Sequence, residues 1–278
     1  MSECSVCFRH CDLKEGQKGF CAARICSGGK VVASNYGHIT SIALDPIEKK
    51  PLRRFFPGSY ILSVGSYGCN LRCPFCQNCD ISWGDEVKHL EEDTRITKPE
   101  ELALLAGRYR DRGSIGIAFT YNEPLTGYEF VRDTSKLTHS LGMQNVIVTN
   151  GTAGINILEE IRPYIDAMNI DLKCFDHDTY RKVLGGDLEM TKSFIREAAK
   201  SSHVELTCLI VPGISDDPDM MREMTSWISS IDPDIPLHVS RFFPRFHMTD
   251  RPATSIETVY GLADIARERL NYVYTGNC

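Results

Sequence analysis

The sequence predicts an α/β fold, a parallel sheet whose strands are joined by helical crossovers, with a small cysteine-rich lobe in front of it. Two observations carry the sheet. From residue 60 to the C-terminus short β-branched runs alternate with longer amphipathic segments, and strands separated by helices imply right-handed βαβ units. Six or seven such units fit an incomplete TIM-like barrel, although periodicity alone does not separate that from an open doubly wound sheet. A third observation sets the lobe apart: residues 1–58 carry nine Lys or Arg against five acids, a net charge of +4, which leaves −10 for the rest. The chain therefore divides into 1–58, a metal-binding lobe and connector, and 59–278, the barrel. A length of 278 residues suits one large α/β domain with a small appendage.

Composition bounds the function. The overall net charge is −6 and no dense basic run occurs, so nothing argues for nucleic-acid binding. The basic lobe would suit docking on the acidic body or on an acidic partner; ordinary scatter of surface charge is the alternative. Twelve cysteines, without a signal peptide or an apolar run of membrane-spanning length, point to a reducing interior, where cysteines bind metal more often than they pair. The expected location is cytoplasmic, away from membranes.

In chain order, the lobe comes first. Cys4, Cys7, Cys11 and Cys21 form a Cys-x2-Cys-x3-Cys-x9-Cys array in a Gly- and Lys-rich segment too poor in apolar residues to fold around its own core. Four thiolates on a metal would supply the missing folding energy, and a closed zinc site or a second iron–sulfur cluster would both serve. His10 could replace one thiolate, and Cys26 is a spare. The metal is expected to be structural, without direct contact with a cofactor. A hairpin-like stretch at 30–40, a turn at Asp45-Pro46 and a Pro- and Gly-bounded connector at 49–58 follow.

A strand at 60–64 leads into Gly68-Cys69-Asn70-Leu71-Arg72-Cys73-Pro74-Phe75-Cys76-Gln77-Asn78. Here Cys69, Cys73 and Cys76 stand in a Cys-x3-Cys-x2-Cys array. Closed zinc sites and clusters that only carry electrons take four protein ligands, so three on one loop suggest a 4Fe-4S cluster with one iron open. A redox or zinc-binding thiol cluster is the plainer alternative. Cys79 cannot be a fourth ligand without closing that iron, and reads as a loop thiol.

The alternation then runs helix 98–112, strand 114–120, helix 124–141, strand 145–149, helix 155–162 and strand 165–172. It continues with helix 190–200, strand 203–211, helix 218–231, strand 237–240, helix 255–269 and strand 272–275. In either architecture functional residues belong at the C-terminal ends of the strands. Tyr121-Asn122-Glu123-Pro124 puts a carboxylate at one such end; a bare Glu-Pro helix start is the alternative. Val148-Thr149-Asn150-Gly151-Thr152 ends the next strand with polar side chains, or simply turns. Asp171 and Lys173 fall two apart on one face, which asks for a polar partner or makes an internal pair. Tyr121, His238, Arg241, Arg245 and His247 are candidates for the barrel mouth, with a packed edge at 242–247 as the alternative.

The cysteine loop resembles that of the radical S-adenosylmethionine (radical SAM) enzymes position by position. Adding the N-terminal cysteine array, Asp45-Pro46-Ile47-Glu48-Lys49-Lys50-Pro51-Leu52, Phe56-Pro57-Gly58-Ser59, Tyr121-Asn122-Glu123-Pro124 and Tyr274-Thr275-Gly276-Asn277, the chain is similar to the AmmeMemoRadiSam-system radical SAM family, relatives of pyruvate formate-lyase activating enzyme. Relatives run on past Thr-Gly-Asn into a Pro-Gly-containing tail, expected to be shortened or replaced here. The resemblance implies the partial (βα)6 TIM-like barrel of the radical SAM type. It implies that Cys69, Cys73 and Cys76 bind a 4Fe-4S cluster whose open iron takes the methionine amine and carboxylate of S-adenosylmethionine. It also implies that Phe75 lies near the adenine and that Glu123 holds the cofactor amine. Asn150, Asp171 and Lys173 then complete the cofactor site. Tyr-Asn stands where the family motif has two glycines. Ile210-Val211-Pro212-Gly213-Ile214-Ser215-Asp216-Asp217 resembles a loop that the activases hold over the strand ends.

The function implied is reductive cleavage of S-adenosylmethionine to methionine and a 5'-deoxyadenosyl radical, which takes hydrogen from a protein or small-molecule substrate. The cofactor carries that chemistry and the protein orients it. An electron donor such as flavodoxin or ferredoxin is the implied partner. One alternative is an activating enzyme that installs a glycyl radical on a partner protein, and another is an iron–sulfur or zinc regulatory protein without turnover.

Overall fold

The structure, a computed structural model, describes residues 1–83, 87 and 89–278. An eight-stranded sheet forms its centre. Its strands are β1 (Ser41–Pro46), β2 (Tyr60–Gly65), β3 (Ser114–Thr120), β4 (Gln144–Thr149), β5 (Ala167–Asp171), β6 (His203–Ile210), β7 (Leu237–Arg241) and β8 (Val273–Gly276). They lie side by side in chain order, with β2 to β8 parallel and β1 antiparallel to β2. Helices α1 (Pro99–Arg108), α2 (Tyr128–Ser140), α3 (Ile155–Ile161), α4 (Leu188–Ala198), α5 (Pro218–Ile231) and α6 (Ile256–Arg267) fall in the six successive crossovers. Among the described residues β1 and β8 do not pair with each other, so this is the partial (βα)6 barrel with a closing strand. Strands such as β3 are buried almost throughout, as a parallel sheet covered on both faces requires.

The helices start where the chain offers a cap. Asp217 accepts from the Asp219 and Met220 amides ahead of Pro218, Asp187 from the Met190 amide, and Ser255 from the Thr258 amide. Two elements depart from expectation. The helix expected at 124–141 opens as a 3-10 turn, Pro124–Gly127, capped by the Glu123 carboxylate, and Asn35 packs against Gly127, where a Cβ would come within 2.5 Å of its Oδ1. Asp45-Pro46, read as a turn, instead ends β1, an edge strand that spares proline's missing N–H. A further helix, His177–Lys182, capped by Asp176, lies in a stretch without apolar periodicity.

The lobe folds as two small antiparallel pairs, Ser2–Glu3 with Asp12–Leu13 and Arg24–Ser27 with Lys30–Ala33. It docks on the body, as its charge suggested. Buried Arg24 bonds both carboxylate oxygens of Glu129 on α2 at 2.7 Å, Lys18 pairs with Glu91, and the Gly154 amide donates to the Val6 carbonyl at 2.9 Å. At the opposite end of the barrel from the strand tips, fully buried Glu205 accepts from the Arg53 and Arg54 amides, His203 and His238 at 2.6–3.0 Å. His238, the second residue of β7, thus belongs to the barrel floor rather than the mouth.

Candidate functional site

The cysteine loop leaves β2 and is fixed from several sides. Gly68, at φ +91°, lets the chain pass so close to the lobe that a Cβ would lie 2.6 Å from the Cys21 carbonyl oxygen. The Arg72 amide donates to the Leu184 carbonyl at 2.8 Å, and the Cys76 amide closes a turn on Cys73 at 3.1 Å. This folding sets Cys69, Cys73, Phe75 and Cys76 along a cavity of about 450 Å³. Glu123, Asn150, Asp171 and Lys173, from the ends of β3, β4 and β5, line the same cavity. All eight residues singled out for the cluster and cofactor are therefore brought together.

Glu123 is buried, and its carboxylate accepts from the Leu125 amide (3.0 Å), the Thr149 hydroxyl (2.7 Å) and the Asn150 amide (2.7 Å). The first of these bonds caps the 3-10 turn. Burial outweighs these donors and pushes the carboxyl up to about 7. A carboxylate has roughly four acceptor positions, which leaves one direction for a cation. Asn150 engages Asn70 (2.9 Å), Thr152 and the Cys69 sulfur (3.7 Å) with its side chain. Lys173 donates to Asp171 at 2.8 Å, so the pair is internally satisfied while lining the cavity. Burial alone would lower the Lys173 ammonium, but Asp171 and Cys73 hold it above its usual range. Phe75 packs edge-on against Phe242 with ring centres 6.5 Å apart.

Burial pushes the Cys73 thiol up to about 12 and raises Cys69 and Cys76 as well, a shift that a bound cationic metal would oppose. Among the described residues no three metal-ligating side chains converge on a point suited to a single ion. A polynuclear cluster asks for no such convergence, since each thiolate takes its own iron. An all-sulfur set of three beside a carboxylate with a free acceptor position fits an iron–sulfur cluster with a cationic ligand. Cys79 is buried, lies by Asp80 and does not line the cavity.

Of the residues considered for the mouth, Tyr121 lines the cavity and Arg241, Arg245, His247 and His238 do not. Arg241 bonds the Thr254 carbonyl at 2.7 Å, and Trp83 packs edge-on against Phe246 and His247, so that edge is packing. Residue-level reasoning missed three features. Lys50 is buried on the cavity wall with Asp45 at 3.0 Å and the Tyr121 hydroxyl at 3.5 Å; the only signal was the charge-rich run from Asp45 to Lys50. Asn70, buried, bridges Asn150 and the Thr152 carbonyl, with no signal beyond its place between two cysteines. Asn78 donates to the Tyr121 carbonyl at 2.8 Å.

The N-terminal cysteines lie together at the lobe's base. The Cys4 amide donates to the Cys11 carbonyl at 3.0 Å, and Cys4, Cys7 and Cys21 are buried. Burial raises the Cys7 thiol, with Cys4 and Cys11 adding to it, and pushes Cys21 up to about 12, with Cys7 and Cys4 adding there.

Comparison with known proteins agrees with this geometry. An uncharacterized protein of Methanocaldococcus jannaschii is 41% identical over 279 residues, covering 99% of this chain and 80% of that protein. The pyruvate formate-lyase-activating enzyme of Clostridium pasteurianum is 29% identical over 59% of this chain and 67% of its own length. A radical SAM methyltransferase structure from Sphaerobacter thermophilus shares the fold at a TM-score of 0.59 and 15% identity, over 80% of this chain and 67% of that one. The radical SAM superfamily model itself matches residues 63–225, from β2 with its cysteine loop into α5. With that match over more than half its length, the chain belongs to the radical SAM superfamily.

Proposed function

We propose that the protein is a radical SAM enzyme in which Cys69, Cys73 and Cys76 bind a 4Fe-4S cluster and the cavity beside them binds S-adenosylmethionine. One observation supports this most: all three cysteines and the buried Glu123 face a single cavity at the strand ends. When bound, the reduced cluster and S-adenosylmethionine supply one-electron cleavage to methionine and a 5'-deoxyadenosyl radical, which takes hydrogen from a substrate carbon. The chain's own residues bind and orient. Glu123 directs its remaining acceptor position at the cofactor amine, a charge-assisted bond in a site shielded from water. Lys173 and Asp171 offer one charge of each sign to a zwitterion, and Phe75 gives the adenine an apolar edge.

A second reading, an activating enzyme that installs a glycyl radical on a partner protein, draws on the 29% identity to the Clostridium pasteurianum enzyme. Such a target must feed a loop into the barrel, so a stable complex carrying a protein-based glycyl radical would favour it. The primary test is anaerobic reconstitution, reduction with dithionite and chromatographic detection of 5'-deoxyadenosine. The wild type should form it and Cys69→Ala, Cys73→Ala and Cys76→Ala should not. Normal cleavage by any of the three sinks the ligand assignment, and its absence from the wild type leaves a regulatory protein.

A further inference from the structure

We propose that Cys4, Cys7, Cys11 and Cys21 bind a second iron–sulfur cluster that relays single electrons to the cluster on the Cys69 loop. The sequence alone suggests a structural metal kept out of the site. The structure brings the two arrays into contact. The Cys69 amide donates to the Cys21 carbonyl at 3.2 Å, so a ligand of one array is hydrogen-bonded through its backbone to a ligand of the other. Gly68 permits that approach. Asn70 steadies the loop at that contact: its side-chain oxygen accepts from Asn150, which also donates to Cys69 Sγ at 3.7 Å.

Two guanidinium groups cross from one array to carbonyls beside the other. Arg9, between Cys7 and Cys11, bonds the Asn70 carbonyl at 2.8 Å. Arg72, between Cys69 and Cys73, bonds the Cys69 carbonyl at 2.8 Å and the Phe20 carbonyl, next to Cys21. Anionic clusters at close quarters repel, and cations between them offset that repulsion. In a cluster each thiolate takes its own iron, and the cluster can take up and give back a single electron, which zinc cannot. All four cysteines are free thiols.

The step balances as one electron. A low-potential one-electron carrier reduces the lobe cluster; that electron then passes to the Cys69-loop cluster, leaving the lobe cluster oxidised again, with no proton or bond transferred. The receiving end rests on the proposed function, while the lobe cluster does not.

The test is therefore split. A Cys69→Ala/Cys73→Ala/Cys76→Ala variant, reconstituted anaerobically, should hold about four irons against about eight in the wild type. Its dithionite-reduced paramagnetic resonance signal should ignore added S-adenosylmethionine. A variant without iron, or with one zinc per chain instead, overturns the lobe cluster whatever the active site does. For the relay, the fully reduced wild type should show a signal broadened by spin coupling between two clusters, and a plain sum of two independent signals overturns it. In rapid mixing with reduced flavodoxin, Cys7→Ser/Cys11→Ser should reduce its remaining cluster at least about tenfold more slowly than wild type. An unchanged rate in a variant that retains that cluster also overturns the relay.

Discussion

Replacing Glu123 by Gln probes the proposed cofactor cradle directly. The carboxylate already takes three bonds of 2.7 to 3.0 Å, two of them from backbone amides that cannot turn away. Burial pushes it up to about 7, above its ordinary 4.5. In the folded protein the protonated form is therefore favoured, and the stability tied to it is complete below about 4.5 and lost as pH rises through about 7. The same shift governs ligand binding. Below about pH 7 an incoming ammonium must displace a proton, so the affinity for S-adenosylmethionine should fall up to about tenfold per pH unit towards acid. The amide variant has no such proton to lose and no charge to offer. It forfeits a charge-assisted bond of about 1.5–3 kcal/mol, a weakening of roughly 10- to 150-fold, and its affinity should be flat with pH. Titration calorimetry on the anaerobically reconstituted proteins between about pH 6 and 8 reads both quantities, with iron content as the control for an intact cluster. Wild-type affinity and an unaltered pH profile in the variant would refute this reasoning and leave Glu123 as the cap of the 3-10 turn.

Two further outcomes follow from the fold. Burial would raise the Glu205 carboxyl, but bonds from His203, His238 and the Arg53 and Arg54 amides outweigh it and hold it at about 2. Its contribution is present above about 4.5 and lost as pH falls towards 2, so Glu205→Gln should cost about 3 kcal/mol at neutral pH. The variant's melting temperature should also lose its acid-side decline; equal neutral stability in wild type and variant would contradict the assignment. Gly68→Ala should destabilise by roughly 1–3 kcal/mol, since its Cβ would overlap backbone at 2.6 Å. It should also open the lobe to limited proteolysis at the 49–58 connector, and wild-type resistance there would argue against tight docking of lobe on loop.

The fold was legible where local signals agree with the tertiary role. α5 spans the expected residues because Asp217 and Pro218 announce its start in the sequence. β1 was not legible, because Asp45-Pro46 carries a turn's chemistry and only pairing with β2 makes it a strand. The three loop cysteines could be found from spacing, since one tight loop must deliver all of them. The convergence of Glu123 on the Thr149 hydroxyl and Asn150 amide could not, because it depends on β3 and β4 being neighbours in a particular register. His238 could have been read correctly: as the second residue of its strand it belongs at the end away from the mouth. Lys50 and Asn70 give no periodic signal, being loop residues buried by contacts from distant parts of the chain.

Tyr121 shows how the chain manages without the paired glycines of the family motif. It adopts φ +77°, a conformation glycine takes freely and a tyrosine holds at a cost of about 1–3 kcal/mol. Three contacts hold it there. Its hydroxyl donates to Asp45 at 3.0 Å, its ring lies 4.6 Å from the Lys50 ammonium, and its carbonyl accepts from Asn78 in the cysteine loop. Burial would raise Asp45, yet Lys50 and Tyr121 keep it at about 2, so the acceptor stays charged at neutral pH. The room comes from Gly65 at the end of β2, where a Cβ would stand 2.8 Å from the tyrosine ring. Gly65 thus supplies space for the ring, while the unusual backbone conformation stays on Tyr121 itself. What changes is the cavity wall, which here presents the Tyr121 ring and the buried Lys50 ammonium instead of bare backbone, and under the proposed function a substrate would have to accommodate both.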